Sequence, residues 1–291
     1  MISVIITAYN ESKTIGKCIK SIASQKIKEP YELLIIAPDK ETLDSAKKAN
    51  PKARLIKDNA IGKWNALNMG FKKAKGRILI LCDGDNYLDK DSINLIIDSF
   101  DNEEVGISGG KVLSTNKNKN LMGYWSKLLA DAAHKEKLKR RKNKNFIDCS
   151  GNLIGLRAGI ISELPADLLS EDAYMSKYVW NKGFDTEYVP KAKVYAKYPD
   201  NFSDWIKQKR RSAGGYPQLN KYFKKTPKMR SFLIEAIKGP FYAISYAKNL
   251  RELFWSLILF PARLYLWILI FYDKLTKKKF KQVWKRVEST K

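Results

Sequence analysis

The first hundred residues alternate between short apolar runs and longer segments in which apolar and polar positions are mixed. The apolar runs are typical of buried strands, and the mixed segments have helical spacing, for example at Ile15, Ile19 and Ile22. Strands are predicted at residues 2–7, 31–37, 54–56 and 79–82, and helices at residues 12–25, 41–50 and 62–74, the first capped by Ser12. This alternation predicts an α/β fold with a Rossmann-like, mainly parallel sheet and helices on both faces.

The last quarter of the chain has a different pattern. Residues 253–272 are almost uniformly apolar and long enough to cross a bilayer, but Pro261 and Arg263 interrupt them. We expect a helix that is broken at Pro261 and dips into a membrane, or two helices that lie in the membrane interface. A soluble helical hairpin is the alternative.

The charge of the chain is strongly positive. It contains 55 Lys and Arg against 30 Asp and Glu, a formal net charge of +25. This balance indicates an anionic partner, which would be a nucleic acid, an anionic membrane surface or a phosphorylated substrate. Zinc-finger spacing and RNA-binding signatures are missing from the sequence, which argues against a nucleic acid partner. The three separated cysteines predict buried, reduced thiols.

Two carboxylates follow the fourth predicted strand directly. Asp83 and Asp85 flank Gly84 where the chain has to turn. Side chains at the carboxyl end of a strand in an open α/β sheet face the crevice where ligands bind, and paired carboxylates there suit Mg²⁺ or Mn²⁺. An acidic turn without a ligand is the alternative. The sequence has neither a Gly-x-Gly-x-x-Gly nor a Walker loop, so metal and cations would have to hold any phosphate.

Three segments together carry a family resemblance: residues 3–11 (SVIITAYNE), residues 62–68 (GKWNALN) and Gly76 followed by the strand into Asp83-Gly84-Asp85. In this order they resemble the nucleotide-sugar half of family 2 glycosyltransferases, which have the GT-A fold. The resemblance implies a nucleotide-binding set and a metal pair. The nucleotide-binding set is Thr7, Tyr9, Glu11, Asp39, Lys63 and Asp83, and the metal pair is Asp83 and Asp85, with Mn²⁺ or Mg²⁺ as the cofactor.

A second acidic pair, Glu171-Asp172, begins a predicted helix. Taken alone, it is typical of a helix start capped by Ser170. In the resembling family an aspartate at this place is the general base, which assigns that role to Asp172. Further on, Gln208 and Arg211 match part of the family's Gln-x-x-Arg-Trp motif, although Ser212 stands in place of the tryptophan. The residues assigned to diphosphate or acceptor contacts are Glu171, Gln208, Arg210 and Arg211; an ordinary basic helix face is the alternative for the last three.

The resemblance covers about residues 1–215 and implies that they form the catalytic domain of an inverting, metal-dependent glycosyltransferase. Beyond it, composition indicates a helical, basic, membrane-associating region at residues 216–291. The partners of such an enzyme would be a nucleotide-sugar donor, a lipid-linked or saccharide acceptor and an anionic membrane surface. Because nucleotide sugars are cytoplasmic and a single span would export the basic run at residues 277–281, we expect peripheral, monotopic or re-entrant attachment at the cytoplasmic face of the cell membrane. The alternatives are a polyprenyl (dolichyl) phosphate glycosyl synthase and a non-enzymatic basic membrane or nucleic-acid binding module.

Overall fold

The computed structural model describes residues 1–166, 168–223, 227, 229, 232–276 and 288–290, without the side chains of residues 232–235 and 288. The basic run at residues 277–281 lies outside these residues. In the described part of the chain, one sheet contains eight strands. They are β1 Ile2–Thr7, β2 Tyr31–Ala37, β3 Arg54–Lys57, β4 Ile78–Asp83, β5 Tyr87–Leu88, β6 Val105–Ser114, β7 Leu153–Arg157 and β8 Asp185–Ala196.

The strands lie in the order β3-β2-β1-β4-β7-β6-β8-β5. β1 to β4 run parallel to one another, as do β6 and β8. β7 is antiparallel to both of its neighbours, and β5 is antiparallel to β8. The predicted, mainly parallel α/β sheet is confirmed, with an antiparallel strand between its two parallel parts. Thr7 lies beside Asp83 in the register of β1 and β4, so these strands end at the same edge.

Helices cover both faces of the sheet, as predicted. They are α1 Ile15–Ala23, α2 Lys40–Ala49, α3 Lys63–Lys73, α4 Ser92–Asp98, α5 Leu121–Lys142, α6 Glu171–Asn181, α7 Phe202–Leu219, α8 Phe232–Tyr246 and α9 Leu250–Leu275. α1, α2 and α4 pack on one face against side chains such as Val4 and Ile6, whereas α3 and α6 pack on the other face against Ile5. A separate apolar cluster joins α5, α7, α8 and α9.

Two predicted helix features are wrong. Ser12 does not cap α1, because this helix begins at Ile15 with Thr14 at the N-cap and no capping side chain. The backbone amides of Thr14 and Ile15 instead donate hydrogen bonds to the Glu11 carbonyl. The break at Pro261 is also absent, since α9 is continuous through it. A proline removes one backbone hydrogen bond, and the packing of α9 on α5, α7 and α8 holds the helix together around that loss.

Candidate active site

A cleft opens at the carboxyl edge of the parallel strands. It is formed by the end of β1, the segment after β3 and the start of α3. Its lining residues are Thr7, Ala8, Tyr9, Asp58, Ala60, Gly62, Lys63 and Ala66. The predicted nucleotide residues Thr7, Tyr9 and Lys63 therefore share one cleft. Asp58 was missed by the sequence reasoning, although it follows the third predicted strand and the argument that strand ends meet at one edge applies to it equally.

Lys63 and Asp83 form an ion pair at the base of the cleft, and their side chains are only 12% and 18% exposed. Thr7 Oγ1 donates a hydrogen bond to Asp83 Oδ1 over 3.4 Å, and the Gly84 amide donates to the Thr7 carbonyl over 3.0 Å. The end of β1 thus fixes the turn that carries Asp83. Asp85 lies two residues further on and is half-buried.

Gly84 lets the turn sit close to the Glu11 carboxyl group. A Cβ atom built on Gly84 would lie 2.5 Å from Glu11 Oε2 and 2.8 Å from Ala8 Cβ. Any larger residue would therefore displace the loop after β1 or the turn itself. Glu11 is 2% exposed, and its amide donates to Thr42 Oγ1. In this structure the buried Glu11 carboxyl group packs directly against the turn at Gly84.

Asp172 reaches the same place from α6. Its Oδ2 accepts a hydrogen bond from the Gly151 amide over 3.1 Å, and its Oδ1 accepts one from the Ala173 amide over 2.9 Å. A Cβ atom built on Gly151 would lie 3.4 Å from Lys63 Nζ and 3.6 Å from Asp172 Oδ2. Lys63 and Asp172 therefore flank Gly151, and Lys63 links this place to Asp83 through their ion pair.

The charges at this point perturb one another. Burial lowers the pKa of Lys63, but Asp83, Glu171 and Asp172 outweigh burial and raise that pKa above its ordinary value. Burial raises the pKa of Glu171 to about 7, although Lys63 acts in the opposite direction. Lys63 is thus held as a cation among carboxylates, and Glu171 titrates near neutral pH. Ser170 is at the N-cap of α6 as predicted, but its side chain makes no capping hydrogen bond.

Asp39 has a structural position at the rim of the cleft. Its Oδ1 accepts a hydrogen bond from the Thr42 amide and caps α2, while its Oδ2 accepts one from the Asn10 amide. These bonds fix the loop after β1, where Asn10 adopts a positive φ of 53°. Burial alone would raise the pKa of Asp39, but these hydrogen bonds lower it below its ordinary value. Its predicted nucleotide contact stays a prediction.

Helix α7 connects the start of α6, which carries the predicted general base Asp172, to the C-terminal helices. A Cβ atom built on Gly215 would lie 2.0 Å from Ser170 Oγ, so this glycine allows α7 to pack directly against the start of α6. At the other end of this segment, Arg210 forms a bidentate ion pair with Asp273 of α9, with N–O distances of 2.9 and 2.5 Å. Asp273 therefore already engages Arg210, which was predicted to contact the diphosphate or acceptor. Gln208 and Arg211 are half-buried on the same helix.

A sequence profile described as glycosyl transferase family 2 matches residues 3–164 of the chain. The match covers more than half of the chain and includes β1, Lys63 and the Asp83-Gly84-Asp85 turn. The chain belongs to glycosyl transferase family 2.

Individual relatives of this chain are distant. The N-acetylglucosaminyltransferase of Azorhizobium caulinodans is 23% identical over 237 residues, which are 73% of this chain and 58% of that protein. The chain spans little more than half the length of such curated relatives.

Solved structures resemble the chain in fold. The mannosyltransferase PcManGT from Pyrobaculum calidifontis, in complex with GDP-Man and Mn²⁺, has a TM-score of 0.66 at 16% identity and covers 96% of this chain and 88% of its own. S. aureus TarS 1-349 in complex with UDP has a TM-score of 0.52 at 19% identity, covering 86% and 76%. At these identities the likeness concerns the fold, and the predicted GT-A class is confirmed.

The Asp83 and Asp85 carboxylates suit a metal ion whose coordination a substrate completes. Among the residues that the structure describes, no three His, Cys, Asp or Glu side chains are grouped so that they would enclose a metal ion. Mg²⁺ and Mn²⁺ accept one or two protein carboxylates when phosphate oxygens and water complete their coordination. Asp83 and Asp85 supply such a pair, and Lys63 supplies the positive charge at Asp83 in this structure.

Proposed function

We propose that this glycosyltransferase moves a sugar from a nucleotide-diphosphate sugar to an acceptor hydroxyl with inversion at the anomeric carbon. The observation that carries the proposal is that Lys63 and Asp172 lie on either side of Gly151, while Lys63 also forms an ion pair with Asp83. This arrangement puts a cation and a potential metal ligand next to a carboxylate that backbone amides orient. A displacement of nucleoside diphosphate by a hydroxyl needs both kinds of group.

Asp172 is the proposed general base. A sugar hydroxyl is a poor nucleophile at neutral pH, and a carboxylate within hydrogen-bond reach accepts its proton as the oxygen bonds to the anomeric carbon. The bond from that carbon to the diphosphate oxygen breaks at the same time, and the nucleoside diphosphate leaves with the electron pair. Lys63 stabilises the negative charge on the leaving group. Direct displacement of this kind inverts the anomeric centre.

Asp83 and Asp85 would hold Mn²⁺ or Mg²⁺ in the complex with the donor. A divalent cation there supplies positive charge to the leaving diphosphate. The Mn²⁺ in the PcManGT complex supports this choice of cofactor, and the UDP in the TarS complex supports a nucleotide donor. Thr7, Tyr9, Glu11 and Asp39 would contact or position the nucleoside, and Gln208 and Arg211 the diphosphate or acceptor.

The proposed acceptor is a lipid-linked saccharide or a polysaccharide at the cytoplasmic face of a membrane. α9 is one helix among the described residues that is long and apolar enough to cross a bilayer, which by itself is weak support. A stronger argument is the path from the base to α9. Gly215 and Arg210 are five residues apart on α7, or about 7.5 Å along its axis. Gly215 lies against Ser170 at the start of α6, and Arg210 pairs with Asp273 near the end of α9.

Replacement of Asp172 by Asn tests the mechanism. Asn keeps an acceptor for the Gly151 amide but does not take up the hydroxyl proton, so we expect a loss of sugar transfer of roughly 10² to 10⁴ fold. The control is Asp98→Asn, which removes a surface carboxylate on α4. The assay is release of nucleoside diphosphate from a panel of nucleotide sugars with Mn²⁺ and a membrane extract as the acceptor source. Activity near wild type in Asp172→Asn would instead favour a phosphate acceptor, as in a polyprenyl phosphate glycosyl synthase, which needs no base.

A further inference from the structure

Helix α9 is apolar on both of its sides. The row that faces the protein contains Leu259, Ala262 and Leu266 together with Ser256 and the two acids of the helix, Glu252 and Asp273, and all six are buried. The opposite row is solvent-exposed and apolar through about six turns. Its members are Phe254, Leu257, Pro261, Leu264, Tyr265, Ile268, Phe271, Tyr272 and Leu275. A surface helix in water normally has a polar outer face, so the exposed apolar face of α9 needs an apolar environment.

Helix α8 extends the same kind of surface. Ile237, Phe241 and Ile244 recur at helical spacing and are between 45% and 77% exposed. α8 packs against α9, and Ser256 Oγ of α9 donates a hydrogen bond to the Ala243 carbonyl of α8. We call the exposed apolar residues of the two helices the lipid face. An apolar surface of two adjacent helices is larger than single exposed residues on a soluble protein would explain.

Both ends of α9 are held by the rest of the protein. Near its start, Glu252 Oε1 accepts a hydrogen bond from Asn118, in the loop between β6 and α5. Near its end, Asp273 binds Arg210 of α7 through two hydrogen bonds. Between them, Trp125 of α5 donates to the Trp255 carbonyl, and Tyr124 shares a hydrogen bond with Ser256.

These contacts exclude a simple crossing of the bilayer. Glu252 and Asp273 are 21 residues apart, or about 31 Å along the axis, which is close to the thickness of the hydrocarbon core. If α9 crossed the bilayer, the polar groups of the β6–α5 loop, α5 and α7 that hold the helix along its length would have to enter the hydrocarbon with it. Burying such groups in hydrocarbon is unfavourable.

The charge around the lipid face selects the occupant. Among the exposed residues of α9 the ionisable cations are Arg251 and Lys274, and the two acids of the helix are both buried. Lys238 and Lys248 add positive charge beside the face. An apolar surface that is bordered by cations, and that has no exposed acid among the described side chains of α8 and α9, complements a bilayer with anionic headgroups.

We propose that α8 and α9 lie in the plane of an anionic bilayer, with the lipid face in the boundary between headgroups and acyl chains and the cleft above the same leaflet. This inference rests on the membrane association proposed above and specifies its geometry. The protein is then monotopic, and α7 holds Asp172 close to the surface. The acceptor hydroxyl accordingly belongs to a molecule anchored in that leaflet.

Depth measurements on the whole protein test this geometry. Single cysteines replace Phe254, Leu264 and Leu275, at the start, middle and end of the lipid face, and each carries the fluorophore NBD. The native Cys18, Cys82 and Cys149 are buried, and wild type treated with the same reagent gives the background. The protein is added to the outside of vesicles of phosphatidylcholine with phosphatidylglycerol. We expect similar, shallow depths at all three positions and reduction of every label by external dithionite.

Charge substitutions test the face itself. Leu264→Glu combined with Ile268→Glu should weaken binding to the anionic vesicles by about 100-fold, because two aliphatic side chains that would insert into the bilayer are lost. The matched control is Tyr31→Glu, which charges an exposed residue at the start of β2, outside α8 and α9. We expect the control to bind like wild type.

The possible failures are distinct. Protection of either terminal label from dithionite would overturn the in-plane geometry while membrane association stands. If the wild-type protein does not bind the vesicles, both the membrane association and the in-plane geometry are refuted. If the wild-type protein is a dimer in buffer, and the double variant is a monomer that binds vesicles as wild type does, a second copy covers the lipid face and the inference is wrong. Hydrolysis of nucleotide sugar, measured without vesicles, reports separately on the proposed chemistry.

Discussion

Glu171 is expected to make the stability of the protein depend on pH in an unusual direction. It is 8% exposed, and burial raises its pKa from an ordinary 4.5 to about 7. The folded protein therefore keeps a proton on Glu171 that the unfolded chain has already lost above pH 4.5. Stability from this group is complete below that pH and is lost as the pH rises towards 7. The shift corresponds to about 3 kcal/mol.

Glu171→Gln removes this dependence, because the amide stays neutral at every pH. We expect the variant to gain about 3 kcal/mol over wild type across the window from pH 4.5 to just above 7, and to unfold several degrees higher at pH 8. Thermal unfolding of both proteins at a series of pH values measures the difference, in which the other titrating groups cancel. Parallel curves of stability against pH for the two proteins would refute the reasoning. So would a variant whose stability falls relative to wild type as the pH rises.

Two further substitutions test the assignments around the site. Arg210→Ala leaves the buried Asp273 without its ion pair. It should lower the free energy of unfolding by about 3 kcal/mol and leave the KM for the donor unchanged. Unchanged stability with a raised KM would instead indicate that Arg210 contacts the diphosphate of the donor. Asp85→Asn should weaken Mn²⁺ binding in the presence of a nucleoside diphosphate by about tenfold or more, as measured by calorimetry, while Asp98→Asn should not; equal affinity in both variants would remove Asp85 from the metal site.

Local patterns were sufficient for the parallel half of the sheet. The apolar runs that became β1 to β4 each end in polar residues, and parallel strands must present those ends at one edge. The meeting of Thr7, Lys63 and Asp83 follows from that rule. Asp58 follows from it as well, but a single aspartate after a short strand has no motif to distinguish it.

Contacts between distant segments were not accessible from local patterns. The pairing of Arg210 with Asp273 joins residues that are 63 positions apart, and the motif around Gln208 gave no sign of it. Pro261 predicts a break when α9 is considered alone, and only the packing of α5, α7 and α8 against it explains a continuous helix. The placement of Gly215 against Ser170 likewise depends on two helices meeting.

The stereochemistry of transfer tests the central claim most directly. The donor is a nucleotide sugar with an α-linked sugar, and proton NMR follows the anomeric configuration of the first sugar released to water or transferred to an acceptor, before mutarotation. Direct displacement assisted by Asp172 predicts that the first product is the β anomer. A first product with the α configuration would contradict the proposed mechanism, because it requires two displacements or a different route.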